Sequence, residues 1–358
     1  MARWSSTATF IAGERSAGVV PPIHDGCARR TVDAAARKMK HSAESMRNRA
    51  TRQSQIAAAS PCSSAATILT TLTLVTTACS DDSSDPAPPE PPPTTFGGDR
   101  PVELWVPSGY DPAVPTPLLL LLHGHSASGP VQELLFRLRP EAEARTVLYA
   151  HPDGTFSEEG KRFWNATEAC CDFFDTGIDD SAYLRGLIDD IAAHYNVDDR
   201  RIYLTGHSNG SFMSFRMACD HDELIAGIAG LAGAMLTDSA DCAATEPVHV
   251  LHIHGTEDGS VDYDGFAGDA EKAPYPSAAE SVAYWADLGG CDATPTDGTP
   301  IDIDQAVDGA ETTVSVHGGC DPGGSAELWT IVGGEHVPAL SEDWPERILD
   351  WLLERSKP

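Results

Sequence analysis

Gly206-His207-Ser208-Asn209-Gly210 constrains this chain more than any other stretch. It reads G-x-S-x-G. Arg201-Ile202-Tyr203-Leu204-Thr205 before it is a short strand, and Ser211 to Ala218 after it carries helix-compatible apolar spacing. A serine on a tight turn between strand and helix stands exposed at the carboxyl edge of a sheet. The flanking glycines let the backbone turn and let neighbouring elements close in. The pentapeptide alone recurs by chance. Its strand and helix flanks make it a nucleophile elbow, with Ser208 as the nucleophile.

The other elements follow the same alternation. Val102–Val106 is an early strand, and Leu118–Leu122, between Pro117 and Gly124, is an unbroken apolar run suited to a strand covered on both faces. Val147–Ala150 is the next strand. Asp180–Tyr195 is a helix with Tyr183, Leu184, Leu187, Ile188, Ile191 and Tyr195 on one stripe. After the elbow come a strand at Val248–Ile253 and a helix from Ser277 to Leu288, where Ser277 and Glu280 have capping-box spacing. Leu328–Val332 is the last strand, and Trp344, Ile348, Trp351 and Leu352 mark a closing helix. Strands alternating with helices predict an α/β fold with a mostly parallel, doubly covered sheet.

The N-terminal part is of another kind. Of the 358 residues, 1–96 hold 10 of the 24 Lys+Arg but 8 of the 54 Asp+Glu. That leaves 14 basic and 46 acidic residues in 97–358, a formal charge of −32. Such a body repels nucleic acid and anionic membrane, so neither is an expected partner. Residues 64–78 are uncharged and modestly apolar, follow Arg47, Arg49 and Arg52, and have the length of a signal-peptide core. A start at Met39 or Met46 would put that core nearer the N-terminus. Ala78-Cys79 resembles a bacterial lipoprotein cleavage site, with Cys79 as the lipidation candidate; a plain secretory signal is the alternative. The expected organisation is an N-terminal extension and signal peptide at 1–78, a Pro/Asp/Ser-rich tether at 79–96 and a catalytic domain at 97–358. The chain is expected to be exported, either secreted or held at the envelope by lipid. With Cys27 and Cys62 removed and Cys79 an anchor, six cysteines remain: Cys170, Cys171, Cys219, Cys242, Cys291 and Cys320. An even number in an exported domain predicts disulfides.

A serine hydroxyl needs a base to take its proton, and the base needs a carboxylate to hold its tautomer. In folds with this elbow the chain order is serine, acid, histidine. Two places fit downstream. His254-Gly255-Thr256-Glu257-Asp258 follows the strand ending at Ile253 and offers Asp258 as the acid; Gly333-Gly334-Glu335-His336 follows the last strand and offers His336 as the base. Asp262 and Asp264 read as solvated charge, His254 as a loop-orienting residue, and His207 as support for the turn. The oxyanion hole requires two backbone N–H groups, from Asn209 after the nucleophile and from His125 after the leucine strand. A zinc cluster of His123, His125, His252 and His254 is the competing chemistry, and Asp302, Asp304 and Asp308 faintly suggest a calcium loop. A serine site claims the same sheet edge, and solvated charge explains the aspartates, so neither metal nor cofactor is expected.

With these residues in view, the chain resembles the polyhydroxybutyrate depolymerase/feruloyl esterase group of secreted α/β-hydrolases, near carbohydrate esterase family 1. The resemblance rests on Leu121-Leu122-His123-Gly124, Trp164-Asn165-Ala166 with Cys170-Cys171, Ile178-Asp179-Asp180, Ala193 to Asp198, the elbow, His254 to Asp258 and Cys291/Cys320. It implies an α/β-hydrolase fold and a Ser208/Asp258/His336 triad. It also implies a Cys291–Cys320 bridge. Trp164 and His207 are expected at the substrate cleft. The partners of Cys170, Cys171, Cys219 and Cys242 stay open. Where that family carries a tryptophan soon after the histidine, this chain has Val337-Pro338, which ranks aromatic esters below short aliphatic ones. A monomeric serine esterase acting on small or polymeric esters is therefore expected. The alternative is a catalytically idle polymer- or cell-wall-binding module on the same fold.

Overall fold

Five consecutive leucines, Leu118 to Leu122, are all fully buried, and they alternate between two cores. Leu118, Leu120 and Leu122 join one apolar cluster, while Leu119 and Leu121 join the other. A strand covered on both faces has no polar side, so its sequence shows no alternation. Each such leucine contributes up to about 1.5–3 kcal/mol on leaving water.

The computed structural model describes residues 91–270 and 272–358. Strands β1 (Thr95–Phe96) and β2 (Val102–Glu103) form a small antiparallel ribbon. Then follow β3 (Thr116–Leu122), α1 (Gly129–Phe136), α2 (Arg139–Ala144) and β4 (Leu148–Ala150). A hairpin of β5 (Thr155–Phe156) and β6 (Arg162–Phe163) leads to α3 (Asp180–His194). The elbow lies between β7 (Val197–His207) and α4 (Asn209–Asp220), and is followed by β8 (Gly227–Leu231), β9 (His249–Gly255) and α5 (Ala278–Leu288). The chain closes with β10 (Thr296–Asp297), β11 (Thr312–His317), β12 (Ser325–Ile331) and α6 (Trp344–Leu353).

The main sheet has eight strands in the order β10-β11-β12-β9-β8-β7-β3-β4. The six from β12 to β4 run parallel, and β11 and β10 add an antiparallel edge. Buried residues of α3 and α4 cover one face, and those of α1, α2 and α6 the other. From β3 the chain goes outward to β4, then returns to the other side of β3 and proceeds through β7, β8, β9 and β12. The strand order therefore reverses between β3 and β7. In open α/β sheets the crevice at such a switch point, outside the carboxyl ends, is where ligands bind.

Most expected elements are present, with shifted ends. Ser277 and Glu280 make the reciprocal capping box on α5. Two expectations need correction. The early strand stops at Glu103, and Trp105 makes only an isolated bridge to Tyr149 before Pro107. The tether ends sooner than residue 96, because Phe96 is buried against His194 and Tyr195 and Tyr195 Oη donates to Pro93 O. Helix α1 escapes sequence reading because Val131 and Leu134 are exposed, which erases its stripe. Strand β8 is equally obscure: Gly-Ile-Ala-Gly-Leu is glycine-rich, yet a Cβ at Gly230 would fall 2.3 Å from Ser211 Oγ. Residues 1–78 and Cys79 lie outside the described residues.

The cysteines form Cys291–Cys320, Cys219–Cys242 and the vicinal Cys170–Cys171. Cys291 and Cys320 lie 29 positions apart. Replacing both by serine should cost about 3–4 kcal/mol in the chain-entropy account, lowering Tm by roughly 6–16 °C. An unchanged Tm in calorimetry contradicts this. A second prediction concerns His249 at the start of β9. Burial, with Arg355 and Lys357 nearby, pushes its imidazole down to about 4. The unfolded chain charges this histidine near pH 6.5, so between about pH 6.5 and 4 the unfolded state binds the extra proton and stability falls with falling pH. His249→Gln should remove about one proton's share of that slope, about 1.4 kcal/mol per pH unit. Chemical denaturation of both proteins at pH 7, 6 and 5 reads the difference, and identical slopes contradict it.

Candidate active site

Ser208 has φ 54° and ψ −120°, a backbone conformation that L side chains rarely adopt. Its neighbours hold it there. Ser208 N donates to Leu231 O, and Ser208 O accepts from Ser211 N and Phe212 N as α4 begins. The glycines on either side are required by space. A Cβ at Gly210 would fall 2.1 Å from Leu122 O, and one at Gly206 2.5 Å from Gly210 C.

The ends of β9 and β12 are laced together. Thr256 N donates to Ile331 O, Glu257 N to Gly334 O, and Gly333 N to Thr256 Oγ1. This lacing brings Asp258 and His336 to the elbow. His336 Nδ1 lies 2.7 Å from Asp258 Oδ2, and His336 Nε2 lies 3.0 Å from Ser208 Oγ. A carboxylate only accepts, so Nδ1 carries the proton and Nε2 accepts from the Ser208 hydroxyl. Asp258 Oδ1 accepts from Ser260 N and Val261 N, and its side chain is fully buried. Burial alone would push this carboxyl up, but the hydrogen bonds from His254, His336, Val261 and Ser260 outweigh it and hold the group below the usual carboxylate range.

His254 is a further partner of that carboxylate. Its Nε2 lies 2.9 Å from Val261 O and 3.2 Å from Asp258 Oδ2. Both are acceptors, so Nε2 carries the proton and Nδ1 accepts from His252 Nε2 at 3.1 Å. Burial, with His254 beside it, keeps the His252 imidazole far below its usual value and therefore neutral.

Two residues expected at the cleft lie elsewhere. Trp164 is fully buried, with Nε1 donating to His123 O and its ring against His123 and Tyr183. The Asn209 side chain clamps it: Oδ1 accepts from Trp164 N and Nδ2 donates to Trp164 O. Trp164 thus supports the elbow helix from beneath and presents no ring to a ligand. His207 is buried too, its Nε2 donating to His336 O at 2.8 Å. Burial, with His336 nearby, lowers it to about 4, so it supports the His336 loop as a neutral donor. The four histidines of the zinc alternative do not converge. His123 bonds Gly124 O and Gly154 N, while His252 and His254 serve the Asp258 chain. Among the described residues no group of three or more His, Cys, Asp or Glu side chains could hold a metal ion. Asp304 is not solvated: it is buried and accepts from Ala306 N and Ala339 N, steadying the loop after His336.

A cleft of about 280 Å³ opens over Ser208 and His336. Its walls include His125, Phe212, Val261, Lys272, exposed Phe173 and the Cys170–Cys171 bridge. Phe173, Lys272 and Phe212 carry no motif, so sequence reasoning missed them; only the fold brings their loops to one edge. His125 lies on the loop after β3, where a Cβ at Gly124 would stand 3.5 Å from Ser208 Cβ. Asn209 opens α4, and the first N–H groups of a helix have no acceptor within it. A larger depression of about 660 Å³, lined by Asp199, Glu223 and Lys357, contains no nucleophile and lies where β7 begins, away from the elbow.

The sheet, its switch point and the elbow define the α/β-hydrolase fold. A solved acetyl xylan esterase from Aspergillus awamori shares it, with a TM-score of 0.51 and 15% identity over 72% of this chain and 96% of that one. By sequence the chain is similar to a Nocardia uniformis subsp. tsuyamanensis protein named as an esterase, NocK, at 31% identity over 192 residues, 51% of this chain and 54% of that protein. Feruloyl esterase B of Piromyces equi is 27% identical over 244 residues, 66% of this chain and 42% of that enzyme. The chain thus spans about half the length of these curated relatives. No family model matches it.

His254→Leu removes one donor to Asp258, whereas His254→Gln keeps an N–H near the Nε2 position. Modification of Ser208 by a sulfonyl fluoride should slow roughly 10–100-fold in the leucine variant, the range seen when a supporting partner of a site is lost. The glutamine variant should recover most of the rate. Equal rates in all three proteins would leave His254 without a positioning role.

Proposed function

We propose that this chain is an exported serine esterase that cleaves carboxylic esters through an acyl-enzyme intermediate. The observation that carries the reading is His336 bridging Ser208 and Asp258 within hydrogen-bond distance on both sides. In the first step Ser208 Oγ attacks the ester carbonyl carbon and its proton passes to His336 Nε2. Asp258 stabilises the imidazolium that results. The N–H groups of Asn209 and His125 take the charge developing on the carbonyl oxygen. His336 then gives its proton to the leaving alkoxide, and the alcohol departs. A water attacks the acyl-enzyme with His336 again as base, which regenerates Ser208 and frees the acid.

Short aliphatic acyl esters are the proposed substrates. The cleft is small, and burial of Trp164 removes one stacking surface for an aromatic acid. Each further methylene gains at most about 0.8 kcal/mol, and only where the cleft buries it. Three disulfides among the described residues favour an oxidising compartment.

Ser208→Ala and His336→Ala should each lower kcat on p-nitrophenyl acetate by about 10⁴-fold or more, and the double variant should be little worse than either. Asp258→Asn should cost somewhat less. Near-normal turnover by His336→Ala would overturn the assignment of the base. Across acetyl, butyryl, octanoyl and feruloyl esters kcat/KM should peak at the short aliphatic end, and a maximum at octanoyl would overturn the substrate class.

A further inference from the structure

Three lysines follow residue 90, namely Lys161, Lys272 and Lys357. Two are paired with carboxylates, exposed Lys161 with Glu159 and buried Lys357 with Glu246. Lys272 lies in the wall of the Ser208 cleft, and no ion pair among the described residues uses it. Its ammonium stands 4.7 Å from the Tyr275 ring centroid and 5.4 Å from that of Phe266. Cation–π attraction at such distances holds a cation in place without cancelling its charge.

That aromatic shelf is fixed. Phe266 and Tyr275 exchange backbone hydrogen bonds at 2.9 and 3.0 Å, and Tyr275 Oη accepts from Asp262 N. The Tyr275 ring also meets Phe212 edge-on, 6.0 Å between centroids, and Phe212 belongs to the elbow helix and to the cleft wall. Lys272 is thereby braced, through Tyr275, against the helix that begins just after Ser208. Besides the two imidazoles, Lys272 is the ionisable side chain among the cleft's walls, which are otherwise apolar apart from two serines and the disulfide.

We propose that the cleft selects esters bearing a carboxylate a short distance from the scissile bond, with Lys272 as the group that binds it. The proposal rests on the esterase reading above and names a substrate class within it. The acidic body opposes anions at long range, but at physiological salt that field is screened beyond roughly 8 Å. At contact, one ammonium facing an apolar wall outweighs it. The carboxylate could sit on the acid or the alcohol half of the ester, and paired substrates separate the two.

The test measures kcat/KM by pH-stat at 0.15 M salt. Ethyl hydrogen glutarate is compared with ethyl pentanoate, and 4-acetoxybutyrate with butyl acetate, so that each substrate carries one scissile ester. In the wild-type protein the charged member should be favoured about tenfold in one of the pairs. Lys272→Met should abolish that preference and Lys272→Arg should retain it. Because each reading is a ratio within one protein, partial misfolding cancels. A ratio near one in both pairs, or a preference surviving in Lys272→Met, overturns the proposal and leaves the esterase reading intact. Absence of turnover on all four esters and on p-nitrophenyl acetate overturns the esterase reading, and this proposal with it.

Discussion

The elbow helix presses against the neighbouring strand so closely that no side chain fits between them. Leu122 O sits where a Cβ of Gly210 would be, and Gly206 meets Gly210 backbone in the same way. This contact fixes Ser208 against the sheet, where its backbone adopts a positive φ at the start of α4. The crevice exists because the strand order reverses between β3 and β7, which leaves the loops after both strands free to face each other. One close approach of backbone to backbone therefore governs both Ser208 and the space beside it.

Opposite the elbow, the difficulty is electrostatic. Taking an aspartate out of water costs several kcal/mol unless its oxygens are satisfied. Asp258 meets that cost with two backbone and two imidazole donors. The His252–His254 pair extends this support into the sheet, with His252 kept neutral by burial. His207 holds the His336 loop from the other side. Ser208, Asp258 and His336 come from three strand ends, so their alignment depends on these buried supports as much as on the groups themselves.

The sequence made legible whatever depends on one side chain or one short pattern. The leucine strand, the capping box at Ser277 and the order of Ser208, Asp258 and His336 could all be read that way. The misreadings have physical causes. Trp164 was expected in the cleft along with the motif that carries the family resemblance, but its indole N–H donates to His123 O and its ring packs against His123 and Tyr183. His207 follows the same rule, since a residue adjoining the nucleophile can face inward as readily as outward. Helix α1 and strand β8 lacked any stripe because exposed leucine and valine blur one and packing glycines the other. Lys272 and Phe173 could not be assigned at all, because only the folded loops bring them to Ser208.

The central claim is that Ser208 is an activated nucleophile, and covalent capture tests it most directly. Folded protein is treated with a fluorophosphonate and the adduct is located by peptide mass spectrometry. One adduct per chain is predicted, on Ser208, absent from Ser208→Ala and absent after denaturation. Folded protein that stays unlabelled, or that takes the label on another residue, would contradict the account.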